Sequence, residues 1–124
     1  MQFTGLMVYV KDMERSVAFY RDVMELPLEM ESPGWSQFSL GSGAWLGLHP
    51  SREAITPALG WTPGFSVTDI RSTKERLQAS GSPITGDYHD IPGGVVLEFT
   101  DPDGHALNAS QMGISCADLG VVSH

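Results

Sequence analysis

The chain has a single cysteine, Cys116, so it can form neither an intramolecular disulfide nor a cysteine-built metal site. It also runs out of positive charge. No lysine or arginine follows Arg76, and the stretch from Leu77 to His124 holds −6 of the formal −8. Nucleic acid would be repelled by such a surface, and a strongly anionic small molecule would find few counter-charges. A neutral or cationic small-molecule ligand suits the balance better; the plain alternative is that the acids only keep the protein in solution. No run approaches the roughly 20 apolar residues of a membrane span, so no membrane partner is expected. The opening MQFTGLMVYVKDMERS lacks a basic n-region and a cleavage site, and a cytoplasmic setting is expected. P-loop, dinucleotide fingerprint and G-x-S-x-G are all missing, and no cofactor is expected.

What is present reads as one unit written twice. The 124 residues, 41 % of them hydrophobic, suit a single small domain. MVYV leads through Lys11-Asp12 into a helix whose Met13, Val17, Tyr20 and Met24 share one face, with Asp12 as its cap. GFSV leads through Thr68-Asp69 into a second helix, with Ile70 and Leu77 on one face and a stop at Ser80-Gly81. The pairs Val10-x-Asp12 and Val67-x-Asp69 lie 57 positions apart, an internal repeat. Three strand-like runs follow each helix: PLEME, WSQFSL and AWLGLH, then PITGDYH, GVVLEF and HALNAS. The expected fold class is α+β, with modules at about 1–50 and 61–110 in one domain over 1–110. Residues 111–124 form a tail, partly loose unless it docks.

Alternation assigns two faces to each strand. Leu6, Val8, Val10, Phe38, Leu40, Leu46, Leu48, Phe65, Val67, Leu97 and Phe99 form purely apolar sets that should meet the helices. The opposite sets include Gly5, Met7 and Tyr9; Trp35, Gln37 and Ser39; Trp45, Gly47 and His49; Val96, Glu98 and Thr100. Such a face is too polar for a second core and too aromatic for plain solvent exposure. It resembles the lining of a small-molecule pocket.

The segment VKDMERSVAFYRDVMELPLE resembles the first strand-and-helix segment of the vicinal oxygen chelate superfamily, the glyoxalase, bleomycin-resistance and extradiol dioxygenase group, which reads V-x-D-x-x-x-S-x-x-F-Y. FTDPDGHALNAS resembles its closing D-P-D-G hairpin. The match spans roughly residues 3–110 and is specific because both segments occur in the right order. Fosfomycin- and bleomycin-resistance proteins are the nearest in look. The resemblance implies two paired βαβββ modules forming a cup-shaped mixed sheet, and a homodimer. It also implies metal-ligand positions at Gly5, near Gly47, at Thr62 and at Asn108. Glycine offers no donor, and Thr and Asn are poor neutral ligands for a divalent ion. No metal site is expected there; His49, two positions beyond Gly47, is the nearest rival.

Several residues on the mixed face are candidates for ligand binding. Tyr9, Trp35 and Trp45 would supply stacking surface; the tryptophans' alternative role is to seal an interface. Gln37, His49, Glu98 and Asn108 would supply polar contacts. Glu98 lies between Leu97 and Phe99, and in a desolvated cup it could act as a base or bind a cation; an edge-exposed Glu is the alternative. His49 at a strand end could serve as an acid–base group, or be a rim histidine held by backbone. Glu98 and His49 are thus the candidate catalytic pair. Trp61 reads as structural, His105 as a hairpin residue, His89 with Asp87 and Asp90 as a loop cluster, and Cys116 as no nucleophile. The expected function is metal-free binding of a small, neutral or cationic, partly aromatic molecule. The alternative is a divalent-metal-dependent lyase, dioxygenase or thiol transferase with substituted ligands.

Overall fold

Residues 1–57 and 60–121 are described by the computed structural model. The chain divides into two compact units, Met1–Thr56 and Pro57–His124, each built as strand, helix and three strands. The α+β class and the repeated βαβββ module follow directly from that order.

In the first unit, β1 (Gly5–Val10) leads to α1 (Met13–Ala18), a π-helical turn (Phe19–Val23), β2 (Leu28–Met30), β3 (Ser36–Gly41) and β4 (Ala44–Pro50). The sheet order is β1-β4-β3-β2. β1 runs parallel to β4, and the other pairs are antiparallel. Asp12 is the expected cap: its backbone is extended, and its Oδ1 accepts the Arg15 N–H at 3.1 Å, satisfying a donor the helix cannot. Val10, Val17, Tyr20, Phe38, Leu46 and Leu48 are buried to 2 % exposure or less. Val10, Phe38, Leu46 and Leu48 come from the strand sets that alternation placed against the helix, and Val17 and Tyr20 from the helical segment; Leu6, Val8 and Leu40 of those sets are only half-buried.

The first helix departs from the regular α-helix that its periodicity suggests. At Phe19 the turn widens, and the Met24 N–H donates to the Phe19 carbonyl at 3.0 Å, an i to i−5 bond. The wider turn lets two sequential aromatics enter the core together: Phe19 is 5 % and Tyr20 0 % exposed, with ring centroids 5.2 Å apart. It ends at Glu25, whose φ of 59° lies in the left-handed region. A residue with a Cβ is disfavoured there and glycine is not. Glu25→Gly is therefore expected to raise stability by about 0.5–1 kcal/mol, read as a higher urea midpoint at unchanged slope.

In the second unit, β5 (Gly64–Ser66), α2 (Ile70–Ala79), β6 (Ile84–Ile91), β7 (Gly94–Thr100) and β8 (Ala106–Met112) repeat the plan. The sheet order is β5-β8-β7-β6, with β5 parallel to β8. Asp69 caps α2 through the Arg71 and Ser72 N–H groups. The first helical N–H, that of Ile70, is also bound, at 2.8 Å, by Oε1 of Gln111 on β8. Ile70, Leu77, Val95, Leu97 and Phe99 are buried to 1 % exposure or less.

The C-terminal segment docks as far as Val121. β8 continues to Met112, and a 3-10 turn follows at Cys116–Leu119. The Cys116 N–H donates to Asp90 Oδ1 at 2.8 Å, and Arg71 Nη2 donates to the Asp118 carbonyl at 3.0 Å. Cys116 itself is fully buried, which removes it from nucleophilic chemistry. His124 lies outside the described residues. Trp61, read from sequence as structural, is 72 % exposed and packs into no core; it precedes β5 rather than lying in it. Among the described residues no helix is long and apolar enough to cross a membrane.

Candidate functional site

The helix-free face of the first unit's sheet carries a grid of side chains set by strand register. Gly5, Trp45 and Ser39 form one cross-strand row, and Met7, Gly47 and Gln37 the next. Tyr9 pairs with His49 in a third, and Trp35 stands just ahead of β3. The β period of two puts all of them on one side.

The rings on this face touch in sequence. Trp45 and Trp35 have centroids 5.8 Å apart with planes at 66°. Trp35 and His49 are 6.4 Å apart at 71°, and His49 and Tyr9 are 5.7 Å apart at 74°. Each contact is edge-to-face, the favoured arrangement for rings with a negative face and a positive rim. The Trp35 backbone is fixed by Ser32, whose hydroxyl accepts the Trp35 N–H at 3.1 Å and donates to its carbonyl at 2.8 Å. Its indole Nε1 donates to Gln37 Oε1 at 3.1 Å, which turns the amide nitrogen of Gln37 into the remaining donor.

His49 is exposed, and its Nδ1 lies 2.8 Å from the Pro50 carbonyl. A carbonyl only accepts, so Nδ1 carries the hydrogen, and Nε2 of the neutral ring keeps its lone pair. The face thus offers aromatic surface with one amide donor and one imidazole acceptor. No Asp, Glu, Lys or Arg stands among these residues.

Two glycines shape the platform. A β-carbon on Gly47 would run into Cζ2 and Cη2 of Trp35. One on Gly5 would run into Cδ2 and Cε2 of Trp45 and lie 2.6 Å from the Trp45 carbonyl oxygen. Sequence reasoning passed over both residues as contact makers because they have no side chain. The signal was a glycine alternating with ring residues, but only strand register shows which ring lies over which glycine.

The second unit repeats the grid with different chemistry. Gly64, Asn108, Glu98 and Thr85 form a cross-strand row. By register, Glu98 stands where Gln37 does and Asn108 where Gly47 does. Val96 and Ala106 hold the positions of Trp35 and Trp45. Asn108 leans over Gly64, its Oδ1 2.9 Å from where a β-carbon would be. Glu98 is exposed, so the desolvation expected for it is missing and its charge meets water. The cluster around His89 is structural: Asp87 binds Lys74 Nζ at 3.2 Å, and Asp90 holds the Cys116 N–H. Lys74 Nζ also sits 4.6 Å from the Tyr88 ring centroid. Burial, with the Asp87 charge added, pushes the Tyr88 phenol above its ordinary range.

Residues 2–109 match the profile of the Glyoxalase/Bleomycin resistance protein/Dioxygenase superfamily. The chain belongs to this superfamily. Among curated relatives of the glyoxalase superfamily it is 30 % identical to a lactoylglutathione lyase of Haemophilus influenzae, over 86 % of this chain and 90 % of that protein. Among solved structures it superposes on the oxidase ChaP-H2 with a TM-score of 0.76 at 23 % identity, covering 92 % of this chain and 98 % of that one. The fosfomycin resistance protein FosX of Listeria monocytogenes gives 0.74 at 18 % identity, over 90 % and 93 %. These two likenesses are of fold.

The positions that the superfamily pattern assigns to a divalent metal do not fit one here. Gly5 and Gly47 have no donor atom and lie beneath indole carbon. Thr62 and Asn108 are neutral. Among the described residues no three His, Cys, Asp or Glu side chains are placed to hold an ion together.

Proposed function

We propose that the aromatic face of the first unit binds a small, neutral or cationic, partly aromatic molecule without a metal ion. The observation that carries this reading is the run Trp45–Trp35–His49–Tyr9, four rings in successive edge contact on a sheet face away from the helix. Ligand rings or cationic groups would meet the indoles. The Gln37 amide and His49 Nε2 would orient them by one donated and one accepted hydrogen bond. The formal charge of −8 favours cationic over anionic ligands. Glu98 and Asn108 face each other on the second unit's own sheet and would offer polar contacts to a ligand held on that face. The protein would act as a homodimer in the cytoplasm.

The test is a tryptophan-fluorescence screen against cationic and neutral aromatic amines, followed by Trp35→Ala. This variant should weaken a hit about tenfold, near 1.4 kcal/mol, with the circular dichroism unchanged. Unchanged affinity would sink the reading.

A second reading, a lyase, draws on the Haemophilus influenzae relative. Its proton-transfer group would be His49 on the first unit's sheet or Glu98 on the second's. Turnover of lactoylglutathione that is lost in Glu98→Gln while binding persists would favour it.

A further inference from the structure

We propose that Gly5 and Gly47 are ring seats: each holds one indole against the sheet, so that the volume metal-ligating side chains would fill on β1 and β4 is taken by Trp45 and Trp35. The superfamily's metal centre is then replaced in this unit by an aromatic floor, rather than merely stripped of its ligands.

The argument is steric and chemical. Gly47 sits at the middle of the face, between Met7 and Gln37 in its row. It is buried although it has no side chain, because the benzo ring of Trp35 lies over it. All three atoms nearest its missing β-carbon belong to that ring. Trp45 lies over Gly5 in the same way. The neighbouring Trp35–Trp45 edge contact and the Trp35–Gln37 hydrogen bond keep Trp35 from swinging aside. Any side chain placed on either glycine must therefore displace a ring before it can reach an ion. Close-packed interiors resist such additions. The pairing also explains the second unit, where the positions of both tryptophans hold Val96 and Ala106 and the position of Gly47 holds Asn108. Where the rings are absent, the seat carries a side chain.

The chain has three tryptophans, so single-tryptophan proteins isolate each ring. In the protein keeping only Trp35, Gly47→Ala should raise acrylamide quenching about twofold as the ring lifts. In the protein keeping only Trp45, the same change should leave quenching as it was. No rise in the first, or an equal rise in both, overturns the proposal. Should Gly47→Ala melt too early to be read, Gly47→Ala/Trp35→Ala should melt as Trp35→Ala does; a further loss would mean the glycine is needed for another reason. The native protein, dialysed against manganese or nickel chloride, should bind no ion. One ion per chain in the native protein, with quenched emission in the protein that keeps only Trp35, overturns the replacement. None of these readings uses a ligand, so a failed ligand screen would remove the binding proposal and leave the ring seats standing.

Discussion

Phe38→Ala is expected to lower stability by about 3–5 kcal/mol. Phe38 lies on β3, opposite Leu46 of β4 and Leu28 of β2, and is fully buried. Tyr20 packs against it at 6.0 Å between ring centroids, so the strand and the π-helical turn share this one side chain. Truncation removes the transfer energy of a benzyl group and leaves a cavity bounded by sheet backbone, which cannot collapse freely. Against a total of roughly 5–15 kcal/mol for a small protein, that is a large share. Urea denaturation followed through tryptophan emission checks it, because Trp35 and Trp45 report on the same unit. Phe3→Ala is the control: Phe3 is 69 % exposed and should shift stability by no more than about 0.5 kcal/mol. A Phe38→Ala loss as small as that would mean the core lies elsewhere.

Asp101→Ala should cost about 2–3 kcal/mol. The carboxylate is 2 % exposed and accepts the Asp103 N–H at 3.0 Å and the His105 N–H at 2.8 Å through one oxygen. The turn it organises is closed by the Gly104 N–H donating to the Asp101 carbonyl, with Gly104 at a φ of 87°, where glycine has no steric penalty. Alanine leaves two backbone donors without their acceptor at the point where β7 turns into β8. Asp101→Asn keeps an acceptor oxygen and should lose less than half as much. The pair of thermal melts separates hydrogen bonding from a generic effect of substitution, for which both variants would fall alike.

Much of the fold was legible because period and punctuation agree. Asp12 and Asp69 mark both helix starts, and the apolar alternation of Leu46–Leu48 and Leu97–Phe99 names the core face. The wide turn at Phe19 was not legible, since a π-helical turn differs from an α turn by one backbone bond and leaves the apolar spacing almost intact. Of the site residues, Tyr9, Trp35, Gln37, Trp45 and His49 share one face because they share strand parity. Their ring order depends on register, which parity alone does not fix. The exposure of Glu98 was equally invisible, because neighbours in sequence say nothing of what covers a side chain. In the sequence Gly5 and Gly47 are empty positions, whereas what matters about them is the ring that lies on top.

In both units the first strand of the sheet pairs, parallel, with the last: β1 with β4 and β5 with β8. During synthesis, therefore, neither sheet can be completed from its early strands alone. The first has every strand once Pro50 has left the ribosome, while the second must wait for Met112. Long-range parallel pairing forms late, so the two halves should acquire protection from proteases in order, with the aromatic face finished while its polar counterpart is still an open chain.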